Sequence, residues 1–123
     1  VLIRDTWNTE VLDELEPQPG DLELYKSRFS GFYGTELDSL LRSRGINWLI
    51  VTGVSTSVCV ESTIRDAMFR DYSCILLSDC SAEPLGGDLP RTNHEASLLV
   101  IQALLGWVSN SGEVLRALGA SPE

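Results

Sequence analysis

Cys59 is the residue of this sequence that is best placed to act as a nucleophile. An apolar run at residues 48–51 leads into a turn of small residues at 53–57, and a helical pattern leaves that turn. The pattern predicts a buried strand that ends in a tight turn and places Cys59 on the first turn of a helix. The unpaired N–H groups and the dipole of a helix start favour a thiolate there. The alternative interpretation is a small apolar residue packed under the helix.

Lys26 is the candidate partner of this cysteine. A thiol acts as a nucleophile only as the thiolate, so Cys59 needs a nearby cation or base. Lys26 could supply positive charge if its segment neighbours that of Cys59, although taken alone it is equally a solvated lysine at a strand end. The backbone N–H groups of Ser55 and Cys59 could bind a developing oxyanion. Alternatively, Gly53 and its small neighbours only let the strand pass tightly into the helix.

The single histidine and the three cysteines limit the other chemistry. His94 has no second histidine beside it, and Cys59, Cys74 and Cys80 form no CxxC pair. Neither a zinc site nor a disulfide framework is predicted from these residues, and we expect no metal and no cofactor. Unpaired cysteines also favour a reducing, cytoplasmic compartment.

The charge balance is acidic, with 18 Asp and Glu against 9 Lys and Arg and a net charge of -9. Without a basic cluster, this balance argues against nucleic acid and anionic membrane surfaces as partners. The longest apolar stretch, at residues 98–108, is too short and too interrupted to predict a membrane span. The length of 123 residues predicts one domain with a real core.

Strand and helix patterns alternate along the chain. Strands are predicted at residues 22–25, 48–52 and 73–79. Helices are predicted near residues 11–15, 35–44, 58–70, 93–107 and 111–118, with a loop at 83–90. Two capping boxes are predicted, Thr35 with Asp38 and Thr92 with Glu95. Gly45 is predicted to end the second helix.

This alternation predicts βαβ units with right-handed crossovers, and hence a three-layer α-β-α sandwich around a mainly parallel sheet. Ligand sites in such sheets lie beyond the carboxyl ends of the strands, where Lys26 and the turn before Cys59 both fall. The helix at residues 93–107 is apolar nearly all round, which predicts a second covered face and a homo-oligomer.

Two motifs resemble those of the isochorismatase-like cysteine hydrolases. The stretch GVSTSVCVEST at residues 53–63, followed by RDA, resembles the nucleophile signature, and KSRFSGFYGTEL at residues 26–37 resembles the lysine motif. Shorter segments are most similar to the ureidoacrylate amidohydrolase branch: PQPGD at 17–21, SGF at 30–32, LDS at 37–39 and GWVS at 106–109. The resemblance covers about residues 7–118.

The resemblance implies an Asp-Lys-Cys triad in which Lys26 and Cys59 are the matching positions. It also implies an oxyanion hole from the N–H groups of Ser55 and Cys59, with a non-proline cis peptide between Val54 and Ser55. The family's aspartate ends an N-terminal strand, and Asp5 lies in a different sequence context, as does Asp21. We therefore expect residues 1–123 to be a single isochorismatase-like domain truncated at its N-terminus, impaired or inactive in isolation.

Four residues are candidates for substrate binding. Trp7 and Asn8 match a family segment near the substrate, where Asn8 could hydrogen-bond an amide or ureido group; the alternative is a helix start with a packed tryptophan. Phe32 and Tyr33 could wall the pocket, although aromatic residues in loops also serve packing.

The function expected from the resemblance is hydrolysis of a C–N bond in a small amide, ureido or carbamoyl substrate through a thioester on Cys59. An isochorismatase-type vinyl-ether hydrolysis is the first alternative, and it does not need the cysteine. A catalytically inactive oligomer subunit is the second, because the aspartate is absent.

Overall fold

The computed structural model of the chain describes residue 3 and residues 5–120, apart from the side chain of Asn8. A parallel sheet with strand order β1-β2-β3 lies at its centre: β1 is Trp48–Val54, β2 is Ser73–Ala82 and β3 is Trp107–Ser109. The helices are α1 (Leu37–Ser43), α2 (Glu61–Met68), α3 (Asn93–Val100) and α4 (Ser111–Ala117). The predicted α/β class and parallel sheet are confirmed.

The core lies between the sheet and the helices that follow β1 and β2. Ile64 of α2, Leu76 of β2 and Ile101 just after α3 are fully buried and belong to one apolar cluster. The unbroken apolar run of β2 explains its central position, because a strand covered on both faces needs apolar residues at successive positions. None of the helices in the described part of the chain is long and apolar enough to cross a bilayer.

Each of the two long helices predicted from the pattern consists of an α-helix and a π-helical turn that are continuous with one another, and the second ends at Leu105. A π-helical turn, Thr56–Val60, precedes α2, and another, Ile101–Leu105, follows α3. The predicted helix at residues 93–107 is therefore too long, and its last residue belongs to β3. Gly106 makes this junction, where an added Cβ would lie 2.5 Å from the carbonyl oxygen of Cys74. An apolar run without clear periodicity cannot reveal such a change of element.

The helix-end predictions have mixed outcomes. Thr92 and Glu95 form the reciprocal capping box, which is confirmed. Gly45 follows α1 with a φ of 65°, in the left-handed region that glycine tolerates, and this prediction is also confirmed. The box of Thr35 with Asp38 is wrong, because α1 begins after Glu36 without a side-chain cap. The Thr35 hydroxyl donates to a loop carbonyl, and the Asp38 carboxylate accepts from Tyr72 and Arg42.

Residues 5–26, here called the arm, contain no strand. They form two short 3-10 turns, Trp7–Thr9 and Asp13–Leu15, and are mostly exposed. The strand predicted at residues 22–25 is therefore wrong, and the predicted helix near 11–15 is reduced to the second turn. An alternating pattern makes a strand only where a neighbouring strand completes the hydrogen-bonded ladder, and the described residues supply none to this segment.

Candidate active site

The turn between β1 and α2, residues 53–60, is built for a sharp change of chain direction. Gly53 has a φ of 119°, a conformation that a residue with a Cβ rarely adopts. The peptide bond between Val54 and Ser55 is cis, as the resemblance implies. The Ser55 carbonyl then accepts from Val58 and Val60 at 3.2 Å each, which closes the π-helical turn. This nucleophile turn, as we call residues 53–60, presents the Cys59 side chain half-buried.

The structure brings Lys26 and Cys59 together. The Lys26 ammonium donates to the Cys59 Sγ at 3.6 Å and to the backbone carbonyl of Arg28 at 3.1 Å. The two side chains meet without the predicted pair of neighbouring strands, because Lys26 is carried by the end of the arm. A positive charge at this distance stabilises a thiolate relative to a thiol, and solvent around the exposed lysine moderates the effect.

A glutamate that the sequence analysis did not single out holds the nucleophile turn from the other side. Glu83 directly follows β2, and its carboxylate accepts from the Ser57 N–H at 2.9 Å, from the Ser57 hydroxyl and from the Leu85 N–H. The bond from the Ser57 hydroxyl, with smaller help from the backbone amides, lowers the pKa of Glu83 below its usual range. The signal that could have revealed it is its place at the carboxyl end of β2, next to that of β1.

His94 ties the same turn to α3. Its Nδ1 lies 2.9 Å from the hydroxyl of Thr56, which is fully buried. The sequence alone assigned His94 no contact with the nucleophile turn, so this hydrogen bond is an addition to the sequence-based picture. Together with Glu83, it fixes both ends of the segment Thr56–Ser57 that precedes Cys59.

The four candidate substrate-binding residues differ in where the structure places them. Phe32 is only 4% exposed and stacks on Tyr72 with ring centroids 5.6 Å apart, so it packs in the core, which was the alternative for the loop aromatics. Tyr33 is 60% exposed and Trp7 is 82% exposed. Neither is buried against the nucleophile turn. The prediction for the side chain of Asn8 falls outside the described part of the structure.

The described residues form one wall of a site and do not enclose a pocket. An open groove of about 1770 Å³ is lined by residues between positions 5 and 34, among them Lys26, and Cys59 is not part of its lining. Ligand pockets usually measure about 300–1,000 Å³ and surround their ligand. Within the described part of the chain, no carboxylate hydrogen-bonds the Cys59 thiol or pairs with Lys26, and no three His, Cys, Asp or Glu side chains are placed to hold a metal.

Sequence and structure comparisons relate the chain to known hydrolases. The Isochorismatase domain profile matches residues 1–113. The ureidoacrylate amidohydrolase RutB of Caulobacter segnis is 43% identical over 119 residues, which are 97% of this chain and 48% of that protein. A cysteine hydrolase of Pseudomonas syringae pv. phaseolicola superposes with a TM-score of 0.85 at 36% identity, over 94% of this chain and 57% of its own.

A third relative is the N-carbamoylsarcosine amidase of Thermoplasma acidophilum. Its structure superposes with a TM-score of 0.72 at 33% identity, and the match covers 83% of this chain and 55% of that one. The chain spans about half the length of the curated relatives it matches.

Proposed function

The chain belongs to the isochorismatase family, and from that premise we propose that the protein containing it is a cysteine amidohydrolase. Its substrates are small molecules with an amide, ureido or carbamoyl group, and the bond it breaks is a C–N bond. The names of two relatives support this class, since one is a ureidoacrylate amidohydrolase and the other an N-carbamoylsarcosine amidase.

The observation that carries the proposal is the 3.6 Å contact between Lys26 Nζ and Cys59 Sγ beside the start of a helix. A lysine cation and a helix start both favour the thiolate, which is the nucleophilic form of cysteine. Cys74, by contrast, is fully buried, and burial raises its pKa to about 11. Cys59 therefore has a reactive setting that Cys74 lacks.

In the proposed reaction, the Cys59 thiolate attacks the carbonyl carbon of the substrate. The electron pair of the C=O bond moves to the oxygen, and the N–H groups of Ser55 and Cys59 stabilise the resulting oxyanion by donating hydrogen bonds to it. Collapse of this intermediate breaks the C–N bond, so ammonia or an amine leaves and the acyl or carbamoyl group stays on the sulfur as a thioester, from which hydrolysis releases a carboxylic acid or a carbamate. Water then hydrolyses the thioester and restores the thiol.

The remaining acid–base group comes, in this proposal, from a part of the protein outside residues 1–123. An aspartate there would take the thiol proton and return it to the leaving nitrogen, as the family resemblance implies. Residues 1–123 are then the C-terminal part of one hydrolase domain, which agrees with their covering about half of the relatives' length. We extend the proposal to a cytoplasmic location, which is in keeping with the three unpaired cysteines. We also extend it to a homo-oligomer.

The half-buried cysteine favours amide hydrolysis over hydrolysis of a vinyl ether, because the latter does not need a nucleophile at residue 59. It also favours an active enzyme over an inert oligomer subunit, because an inert subunit does not require a lysine within 3.6 Å of a thiol. Both alternatives make measurable predictions.

Replacing the nucleophile is the direct test. In the full-length protein, Cys59→Ala should lower the turnover of ureidoacrylate-type or simple amide substrates by at least about 1000-fold, because the thioester can no longer form. Mass spectrometry of the unmodified protein quenched during turnover should reveal an acyl adduct on the peptide that contains Cys59.

Cys80→Ala is the matched control, because Cys80 is an exposed free cysteine near the carboxyl end of β2. It should keep the turnover of the unmodified protein. Undiminished turnover of amides by Cys59→Ala would overturn the proposal. Cleavage of a vinyl ether, but not of amides, would favour the isochorismatase-type reaction.

A further inference from the structure

One threonine hydroxyl connects the segment that carries Lys26 to the turn that carries Cys59. The Thr63 hydroxyl, on α2, donates to the carbonyl oxygen of Cys59 at 2.7 Å, one helical turn back. The oxygen of the same hydroxyl accepts from the backbone N–H of Gly31 at 3.0 Å. Both bonds are partly buried, and the second joins residues that lie 32 positions apart in the sequence.

The polarity of this bridge has only one solution. A backbone carbonyl can only accept and a backbone N–H can only donate, so the Thr63 hydrogen must point to Cys59 and its lone pair to Gly31. A threonine side chain is also stiff at its first torsion, which limits its positions on the helix. The bridge therefore attaches Gly31 to Cys59 and also fixes the distance between their backbones.

Gly31 is fixed from a second side. Its carbonyl accepts from the Thr35 hydroxyl at 2.5 Å, and the next residue, Phe32, is a core residue. An added Cβ on Gly31 would lie 3.4 Å from Leu37 and 3.6 Å from Thr63, so the loop backbone runs close to α1 and α2. Between Lys26 and this fixed point, residues 27–29 are exposed.

We propose that Thr63 is a positioning residue that sets the spacing between Lys26 and Cys59 by joining the Gly31 N–H to the Cys59 carbonyl. The inference rests on the proposed function, because the spacing matters only if Lys26 promotes thiolate formation at Cys59. The Thr63 hydroxyl itself touches neither substrate nor thiol.

Site-resolved alkylation of the full-length protein with iodoacetamide tests the proposal. The quantity to measure is the ratio of the Cys59 rate constant at pH 7 to that at pH 10, since at pH 10 most thiols are ionised without help. Lys26→Met should lower this ratio by up to about fivefold, and Thr63→Val should lower it about threefold by letting the lysine move away from the sulfur. Thr63→Ser keeps the hydroxyl and should restore the ratio to within about twofold.

The double variant separates the bridge from a merely structural role. If Thr63 acts through the lysine, the double variant Lys26→Met with Thr63→Val should have the same pH 7 to pH 10 rate ratio as Lys26→Met alone. Ser43→Ala is a matched control, because the Ser43 hydroxyl also donates to a carbonyl one turn back, in α1. It should leave the ratio unchanged. Exposed Cys80 serves as a reference thiol, and protection of buried Cys74 reports that each variant is folded.

The outcomes are distinguishable. An unchanged ratio in folded Thr63→Val, with a lowered ratio in Lys26→Met, overturns the positioning role and leaves the proposed function intact. A further drop in the double variant also overturns it, because Thr63 would then act without the lysine. An unchanged ratio in Lys26→Met overturns the proposed role of Lys26 and the inference with it.

Discussion

The arm and the sheet region supply one residue each to the proposed site, and they differ in how they are held. In the arm, Leu12 and Leu15 are 66% and 69% exposed, and no strand of the described chain pairs with the segment before Lys26. In the sheet region, residues 48–109, Ile64 and Leu76 are fully buried, and β1 is paired with β2 from Trp48 to Val54 with one register shift after Val51. Apolar burial of this kind is the main stabilising term of a fold.

The difference shows where the geometry of the site comes from. Cys59 is placed by β1, by Glu83 and by His94, all within the sheet region. Lys26 is placed by the loop on its C-terminal side, through the Gly31 bond to Thr63 and the burial of Phe32. The arm thus leaves Leu12 and Leu15 in solvent, whereas the sheet region exposes some apolar side chains, such as Leu104, but also contains the fully buried core.

The comparison of the arm with the sheet region predicts the largest loss of stability for Ile64→Ala. We expect the free energy of unfolding of the full-length protein to fall by about 3 kcal/mol, because a fully buried isoleucine leaves a cavity among well-packed neighbours. Leu12→Ala in the arm is the matched variant, and its effect should stay below about 0.5 kcal/mol. Urea unfolding followed by circular dichroism measures both.

A cost for Leu12→Ala as large as that for Ile64→Ala would break the comparison. It would mean that the arm is buried in the folded protein, and the arm would then belong to the packed part of the molecule.

Gly106→Ala sharpens the comparison at the junction before β3. The added Cβ would lie 2.5 Å from the Cys74 carbonyl oxygen, so the backbone of β2 or of the junction must move. We expect a loss of about 2 kcal/mol in the free energy of unfolding. Gly87→Ala, in the exposed loop after β2, puts its Cβ at an ordinary 3.7 Å from the Pro84 carbonyl and should change stability by less than about 0.5 kcal/mol. Equal losses in the two variants would contradict this account.

The strands that could be predicted from the sequence, β1 and β2, are apolar runs that pair with each other. Residues 48–51 and 74–77 form these runs, and the pairing starts at Trp48 opposite Ser73. Residues 22–25 alternate as a strand should, yet nothing in the described chain pairs with them. β3 has only three residues after an apolar helix, and its pairing with Ile75–Leu77 is a long-range contact without a local signal.

The same reasoning applies to the site. The chemistry of a thiol predicts a cation beside Cys59, and Lys26 lies there. Glu83 and Thr63 hold the two sides of the site through hydrogen bonds to residues 26 and 32 positions away, Ser57 and Gly31. Bonds of that range depend on the tertiary fold: the position of Glu83 after β2 places it at the ligand-binding edge of the sheet, but no periodicity or spacing in the sequence indicates its partner or that of Thr63.

The smallest predicted effect concerns Cys74, which is fully buried inside the sheet region. Burial raises its pKa from 9.0 to about 11. Between these values the unfolded chain releases the thiol proton while the folded chain keeps it, so the unfolded state binds fewer protons and stability falls as the pH rises. We expect the free energy of unfolding to drop by up to about 1 kcal/mol per pH unit from this thiol between pH 9 and 11.

Comparison with Cys74→Ala isolates this contribution, since burial and the bond to Asp38 also raise the pKa of Tyr72 in the same alkaline range. The variant should be less stable at pH 8, because it loses buried volume, but its stability should decline less steeply from pH 9 to 11. Cys80→Ala removes an exposed thiol from the same strand and should keep the steep decline. If Cys74→Ala were as steep as the unmodified protein, Cys74 would be ionising inside the folded chain, which requires water around it. The sheet region would then not be the dry core that distinguishes it from the arm.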